Sequence, residues 1–99
     1  MTRYLRIDYT IKPDVDLAEV KDAIGEFVRS IAAHHPDHLY TSFQYASDPR
    51  RFVHVGELVE DVVADFQATP FFRKFSKFLR ESCATGPEVT LLSRVASAR

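Results

Sequence analysis

From Tyr4 to Lys12 the chain alternates without a slip. Leu5, Ile7, Tyr9 and Ile11 fall on one side, and Tyr4, Arg6, Asp8, Thr10 and Lys12 on the other. A period of two commits this stretch to a strand with unlike faces. The apolar face needs a partner, and the next segment supplies one. Behind Pro13, Asp16 stands three residues before Glu19, a helix start with Asp as the cap. Leu17, Val20, Ile24, Phe27, Val28 and Ile31 then recur at helical spacing and form one apolar stripe. The run His34-His35-Pro36-Asp37 closes this helix.

A second strand is expected from Leu39 to Ala46 and a third from Arg51 to Val59, with Ser47 to Arg50 as the turn. So short a connection implies an antiparallel hairpin. Glu60 and Asp61 open the next helical region, where the helix dipole favours acids. Thr69 and Pro70 restart it as an N-cap followed by proline at the first helical position. The helix then runs to about Cys83 with Phe71, Phe75, Phe78 and Leu79 on one face. Gly86-Pro87 is read as its break, and Val89 to Val95 as the last strand. The order β-α-β-β-α-β predicts an α+β, ferredoxin-like domain over residues 1–99, a four-stranded antiparallel sheet with helices on one face. Large apolar residues stand on both parities of the strands, Val53 and Val55 against Phe52 and Leu58. Both sheet faces therefore ask for cover, and a second copy of the chain is the simplest cover. A homodimer is expected.

Charge excludes several partners. Thirteen Lys and Arg against 14 Asp and Glu give a net charge of −1, so no basic surplus draws in nucleic acid or an anionic membrane. No run resembles a signal peptide or a membrane span, and a cytoplasmic location is expected. The single cysteine, Cys83, can form neither an internal disulfide nor a Cys-based metal cluster. There is no phosphate-binding Gly-rich loop, no G-x-S-x-G and no H-E-x-x-H, so no cofactor is expected by motif.

Several short pieces, taken in order, resemble a known family: Ile11-Lys12-Pro13-Asp14, Pro36, Asp48-Pro49-Arg50-Arg51-Phe52, Glu57-Leu58-Val59-Glu60-Asp61 and Thr69-Pro70-Phe71-Phe72. From Tyr4 to Val95 the chain is similar to the antibiotic-biosynthesis-monooxygenase (ABM) domain of the dimeric α/β-barrel superfamily. The resemblance implies two ferredoxin-like subunits packed sheet to sheet as a barrel, each with a pocket between its sheet and helices. It also implies cofactor-independent oxygenation of an aromatic, phenolic or quinol-type small molecule. Departures stand beside it. Val59 occupies the place of a frequent family aromatic, and Phe66 and Gln67 lie where a histidine often falls. The chain has no Trp and no Asn, so the Asn/Trp sets of the haem-degrading enzymes and polyketide oxygenases cannot be assembled. Three readings stay open: a monooxygenase, a cyclase- or isomerase-like acid–base enzyme, and a non-enzymatic ligand-binding homodimer.

Within that frame His54 and Glu57 are the candidate catalytic groups. His54 lies mid-strand among apolar neighbours, either as a satisfied core histidine or as a general base. Glu57 points to the other strand face, either as a ligand-orienting base or as the partner of an arginine such as Arg94. Tyr9, Tyr40, Tyr45 and Val59 are candidate ligand contacts, and Phe66 and Phe72 candidate roof residues of an apolar pocket. Lys74, Lys77 and Arg80 form a basic outer face, read as solvated surface. His34, His35 and His38 form H-H-x-x-H, but Pro36 prevents a shared helical face, so no metal site is expected. In solution at micromolar concentration the chain should sediment at about twice its 11.3 kDa mass; sedimentation at the monomer mass would remove the dimer.

Overall fold

The computed structural model describes residues 1–98. It contains β1 (Thr2–Ile11), α1 (Leu17–His34), β2 (Leu39–Tyr45) and β3 (Asp48–Val59). A single 3₁₀ turn (Glu60–Val62) leads into α2 (Val63–Gln67), followed by α3 (Pro70–Ser82) and β4 (Cys83–Leu92). The four strands form one antiparallel sheet in the order β2-β3-β1-β4, which places β3 and β1 in the middle. This is the ferredoxin-like topology expected from the element order.

The caps sit where the side chains dictate. The Asp16 carboxylate accepts from the Ala18 N–H at 2.9 Å at the start of α1, and the Thr69 hydroxyl accepts from Phe72 N–H at 3.3 Å at the start of α3. Pro70 follows Thr69 at the first helical position, so α2 and α3 are separate helices.

Two boundaries differ from the sequence reading. The hairpin turn is only Ala46-Ser47, because Asp48 already pairs with Tyr45. The last strand begins at Cys83 and ends at Leu92, so Gly86-Pro87 lies inside it and Val95 beyond it. Pro87 is tolerated because β4 is an edge strand, where a missing N–H removes no ladder bond from a second neighbour. Gly86 is needed there: φ is +84°, and a Cβ would sit 2.7 Å from the Asp8 carbonyl oxygen. The register against β1 shifts between Asp8 and Ile11 at this point.

Leu5, Tyr9 and Ile11 of β1 and Phe52, His54 and Leu58 of β3 face the helices and are buried. Val20, Ile24, Phe27 and Ile31 close over them from α1, and Phe75 and Leu79 from α3. Phe27 is the hub of this layer. Its ring stacks on Phe75 at 4.3 Å, meets Tyr40 edge-on at 5.4 Å, and touches Phe66, Phe71 and Phe72. The other sheet face is bare in the single chain. Leu39 is 60% exposed, Phe43 53% and Leu92 44%, around a half-buried ion cluster centred on Asp8. Phe27→Ala should cost about 3–5 kcal/mol of unfolding free energy in urea titration, because the cavity it leaves is lined by five rings.

Candidate functional site

The register that builds the sheet also assembles a three-residue polar chain inside its apolar side. His54 stands on β3, flanked by β1 and β2. Tyr9 pairs with Phe52 and Tyr40 with Gly56, so each tyrosine is a diagonal neighbour of His54 on the helix-facing side. The Tyr9 hydroxyl lies 2.8 Å from His54 Nε2, and the Tyr40 hydroxyl 2.8 Å from Nδ1. Phe75 of α3 stacks on the imidazole at 5.7 Å. Gly56 lets the Tyr40 ring lie this close to the sheet, since a Cβ there would fall 3.2 Å from Tyr40 Cδ2.

Burial keeps this histidine neutral. His54 is fully enclosed, and desolvation pulls its pKa down from 6.5 to about 4. Desolvation pushes both tyrosine hydroxyls above the usual phenol range, so they too are neutral. A neutral imidazole has one N–H and one acceptor nitrogen. Tyr9 is 1% exposed and makes no other hydrogen bond among the described residues, so its proton goes to Nε2. Nδ1 then carries the ring proton and donates it to the Tyr40 oxygen. With this tautomer the chain runs from Tyr9 to His54 to Tyr40, and the Tyr40 proton has no further acceptor among the described residues.

Tyr40 is in the wall of a cavity of about 290 Å³ between the sheet and α3. Ile7, Phe27, Phe72, Phe75 and Leu79 supply its apolar lining, and Ser76, Arg80, Pro87 and Val89 complete it. This is the size of a small aromatic ligand, with few polar groups to fix its orientation. A larger hollow of about 460 Å³ opens on the bare side of the sheet and is lined largely by charged and hydroxyl residues, among them Arg6, Asp8, Arg51 and Glu88. There Arg51, Tyr45 and Arg6 all bond to Asp8, at 3.0, 2.7 and 2.7 Å. The Arg51 bond leads in holding the Asp8 carboxyl well below the usual carboxylate range.

The residues singled out in the sequence divide between the two faces. Tyr9, Tyr40, His54 and Phe72 gather at or behind the apolar cavity. Phe66 is enclosed among Phe27, His35, His38 and Phe72, in the core and not at the cavity wall. Glu57, Tyr45 and Val59 are on the opposite sheet face. Glu57 bonds Arg94 at 3.1 Å, one of the two roles the sequence left open, and Tyr45 bonds Asp8 and Arg6. The three histidines do not converge. His34 donates to the Ser30 carbonyl, the rings of His35 and His38 stack 5.2 Å apart, and His38 Nδ1 accepts from the Val59 N–H at 3.0 Å. Among the described residues no group of three or more His, Cys, Asp or Glu is placed to hold a metal ion. Phe75, Leu79 and Arg80 line the cavity although periodicity read them as core or surface, and Ser76 lines it without having been singled out, because helical spacing gives a direction and not the distance between layers.

No known family profile matches the chain, and no curated protein sequence does. Solved structures do. An antibiotic biosynthesis monooxygenase superposes over 97% of this chain and 100% of its own, with a TM-score of 0.80 and 22% identity. The chain has the fold of the antibiotic-biosynthesis-monooxygenase structures. A variant of SnoaB, a cofactor-independent oxygenase from Streptomyces nogalater, matches over 98% of this chain and 96% of its own (TM-score 0.79, 15% identity). A Mycobacterium tuberculosis protein matches over the full length of both chains (TM-score 0.82, 13% identity). Among the described residues of the ABM-like chain no helix is long and apolar enough to cross a membrane.

The buried imidazole has a measurable signature. Between pH 6.5 and about 4 the unfolded chain binds a proton at His54 that the native chain refuses, so stability falls as pH falls. The loss through this group should total about 3 kcal/mol and be complete below the native pKa. Urea titrations of wild type and His54→Phe across this range should show that part of the slope vanish in the variant.

Proposed function

We propose that this protein is an ABM-like enzyme that oxygenates an aromatic, phenolic or quinol-type small molecule without a bound cofactor, working as a homodimer. The observation that carries the reading is the hydrogen-bonded chain Tyr9–His54–Tyr40, whose last residue lines an apolar cavity. A flat ring fits against Phe72 and Phe75, with its oxygen toward Tyr40. The substrate gives its phenol proton to solvent and binds as the phenolate, the Tyr40 hydroxyl donates to that anionic oxygen and stabilises it, and the electron-rich anion reacts with O₂ directly. His54 serves as a positioning residue, holding Tyr40 as a donor. It is a poor base: burial lowers its pKa to about 4, and the chain stops at Tyr9 with no onward partner among the described residues. The likeness in fold to a cofactor-independent oxygenase supports the same chemistry. The bare sheet face, with Leu39, Phe43 and Leu92, is where the second subunit packs. Glu57 and Tyr45 then belong to the subunit contact, not to the chemistry.

The missing Trp and Asn favour one second reading on the same site, an isomerase or cyclase in which Tyr40 stabilises an enolate. Oxygen separates the two. With a panel of quinols, oxygen uptake should fall about 100-fold in Tyr40→Phe and stay within about twofold in Glu57→Gln. The fluorescence-detected pKa of bound 2-naphthol should drop by about one unit in wild type and return in Tyr40→Phe. An unshifted naphthol removes the donor role, and turnover that persists without oxygen selects the second reading.

A further inference from the structure

The basic face of α3 is not an evenly solvated ridge. Lys74 leaves it and bonds Glu26 of α1 at 2.9 Å. Arg73, Lys77 and Arg80 remain, spaced at four and three residues on one side of the helix. None of the three side chains makes an ion pair or hydrogen bond among the described residues. A chain of net charge −1 thus collects three unpaired cations on one helix face. Arg80 is in the last turn of α3, where a cation suits the helix dipole. The dipole accounts for one cation there and not for Arg73, which lies in the first turns.

The cations have a definite place relative to the cavity. Arg80 lines the apolar cavity beneath α3 and also a groove of about 380 Å³ along the outer side of the same helix. Phe72 and Ser76 are shared by both spaces, and Arg73 and Lys77 border the groove. An apolar chamber therefore opens past one arginine onto a basic channel. A neutral ring would fill the chamber and leave the channel unused. A ligand with an acidic arm would use both.

We infer that the ligand is an aromatic molecule bearing a carboxylate arm, with its ring in the cavity and its carboxylate on Arg80, and with Lys77 and Arg73 drawing the arm outward. The inference rests on the cavity reading above and adds a specificity determinant to it. The exposed guanidinium of Arg80 offers paired donors matched to a carboxylate. The occupant is a small molecule and not an acidic polymer, because Arg80 shares its walls with an apolar cavity of ligand size.

The test compares 2-naphthoate with its neutral isostere 2-naphthamide by calorimetry on the full chain. Wild type should bind the carboxylate about tenfold more tightly than the amide, a preference that shrinks with added salt. Arg80→Gln should abolish the preference by weakening naphthoate binding about tenfold, and Arg80→Lys should restore part of it. Equal affinity for the two ligands in wild type, with no effect of Arg80→Gln, would overturn the anion anchor and leave the cavity reading standing. Failure of both ligands to bind, in wild type and in Phe72→Ala alike, would overturn the cavity reading itself. Vesicles of phosphatidylserine supply the remaining arm. Tight vesicle binding lost in Arg73→Gln/Lys77→Gln, with no carboxylate preference, would assign the basic face to a membrane surface instead.

Discussion

A neutral imidazole in the middle of an apolar layer is the constraint on which the rest of this structure turns. An unpaired buried nitrogen costs on the order of 1–3 kcal/mol, so His54 can be enclosed only if both ring nitrogens find partners. They find them on the two neighbouring strands, one hydroxyl from each. The polar chain therefore spans β1, β3 and β2, and Phe75 pins it from α3. Satisfying the histidine fixes the tilt of both tyrosine rings. The Tyr40 ring in turn borders the space that a ligand can enter.

Separation of tasks between the sheet faces follows from strand parity. Even-numbered residues of β3 point to the helices and carry the polar chain. Odd-numbered residues point away and carry Val55 and Glu57 on the face that also shows Leu39, Phe43 and Leu92 of the neighbouring strands. One residue of slip in β3 would exchange His54 for Val55 and destroy both faces together. The same parity explains how Glu57 and His54, three residues apart, end on different surfaces.

Much of this was legible in the residues. Alternation from Tyr4 to Lys12 specified a two-faced strand, and the stripe from Leu17 to Ile31 specified the helix that covers it. Thr69-Pro70 marked the helix restart with its cap. The start of β4 was not legible, because Gly-Pro reads as a break unless the strand is known to lie at an edge. The Tyr9–His54–Tyr40 chain was hidden for a related reason. Each residue was a plausible candidate alone, but diagonal pairing depends on the register across three strands, which single-strand periodicity does not encode. Phe66 and Phe72 show the limit of composition. Both are aromatic and close in sequence, yet one fills the core and the other a cavity wall.

Pro87 has a consequence for the company this chain can keep. The outer margin of β4 is one of two places where another strand could add to the sheet by backbone bonding. A residue without an N–H, set in a strand already distorted at Gly86, interrupts the donor row that an incoming strand would need. Lateral growth into an extended ribbon is discouraged on that flank, whereas stacking through the broad side meets no such obstacle. Edge-to-edge assembly of this chain is thereby disfavoured on the β4 side.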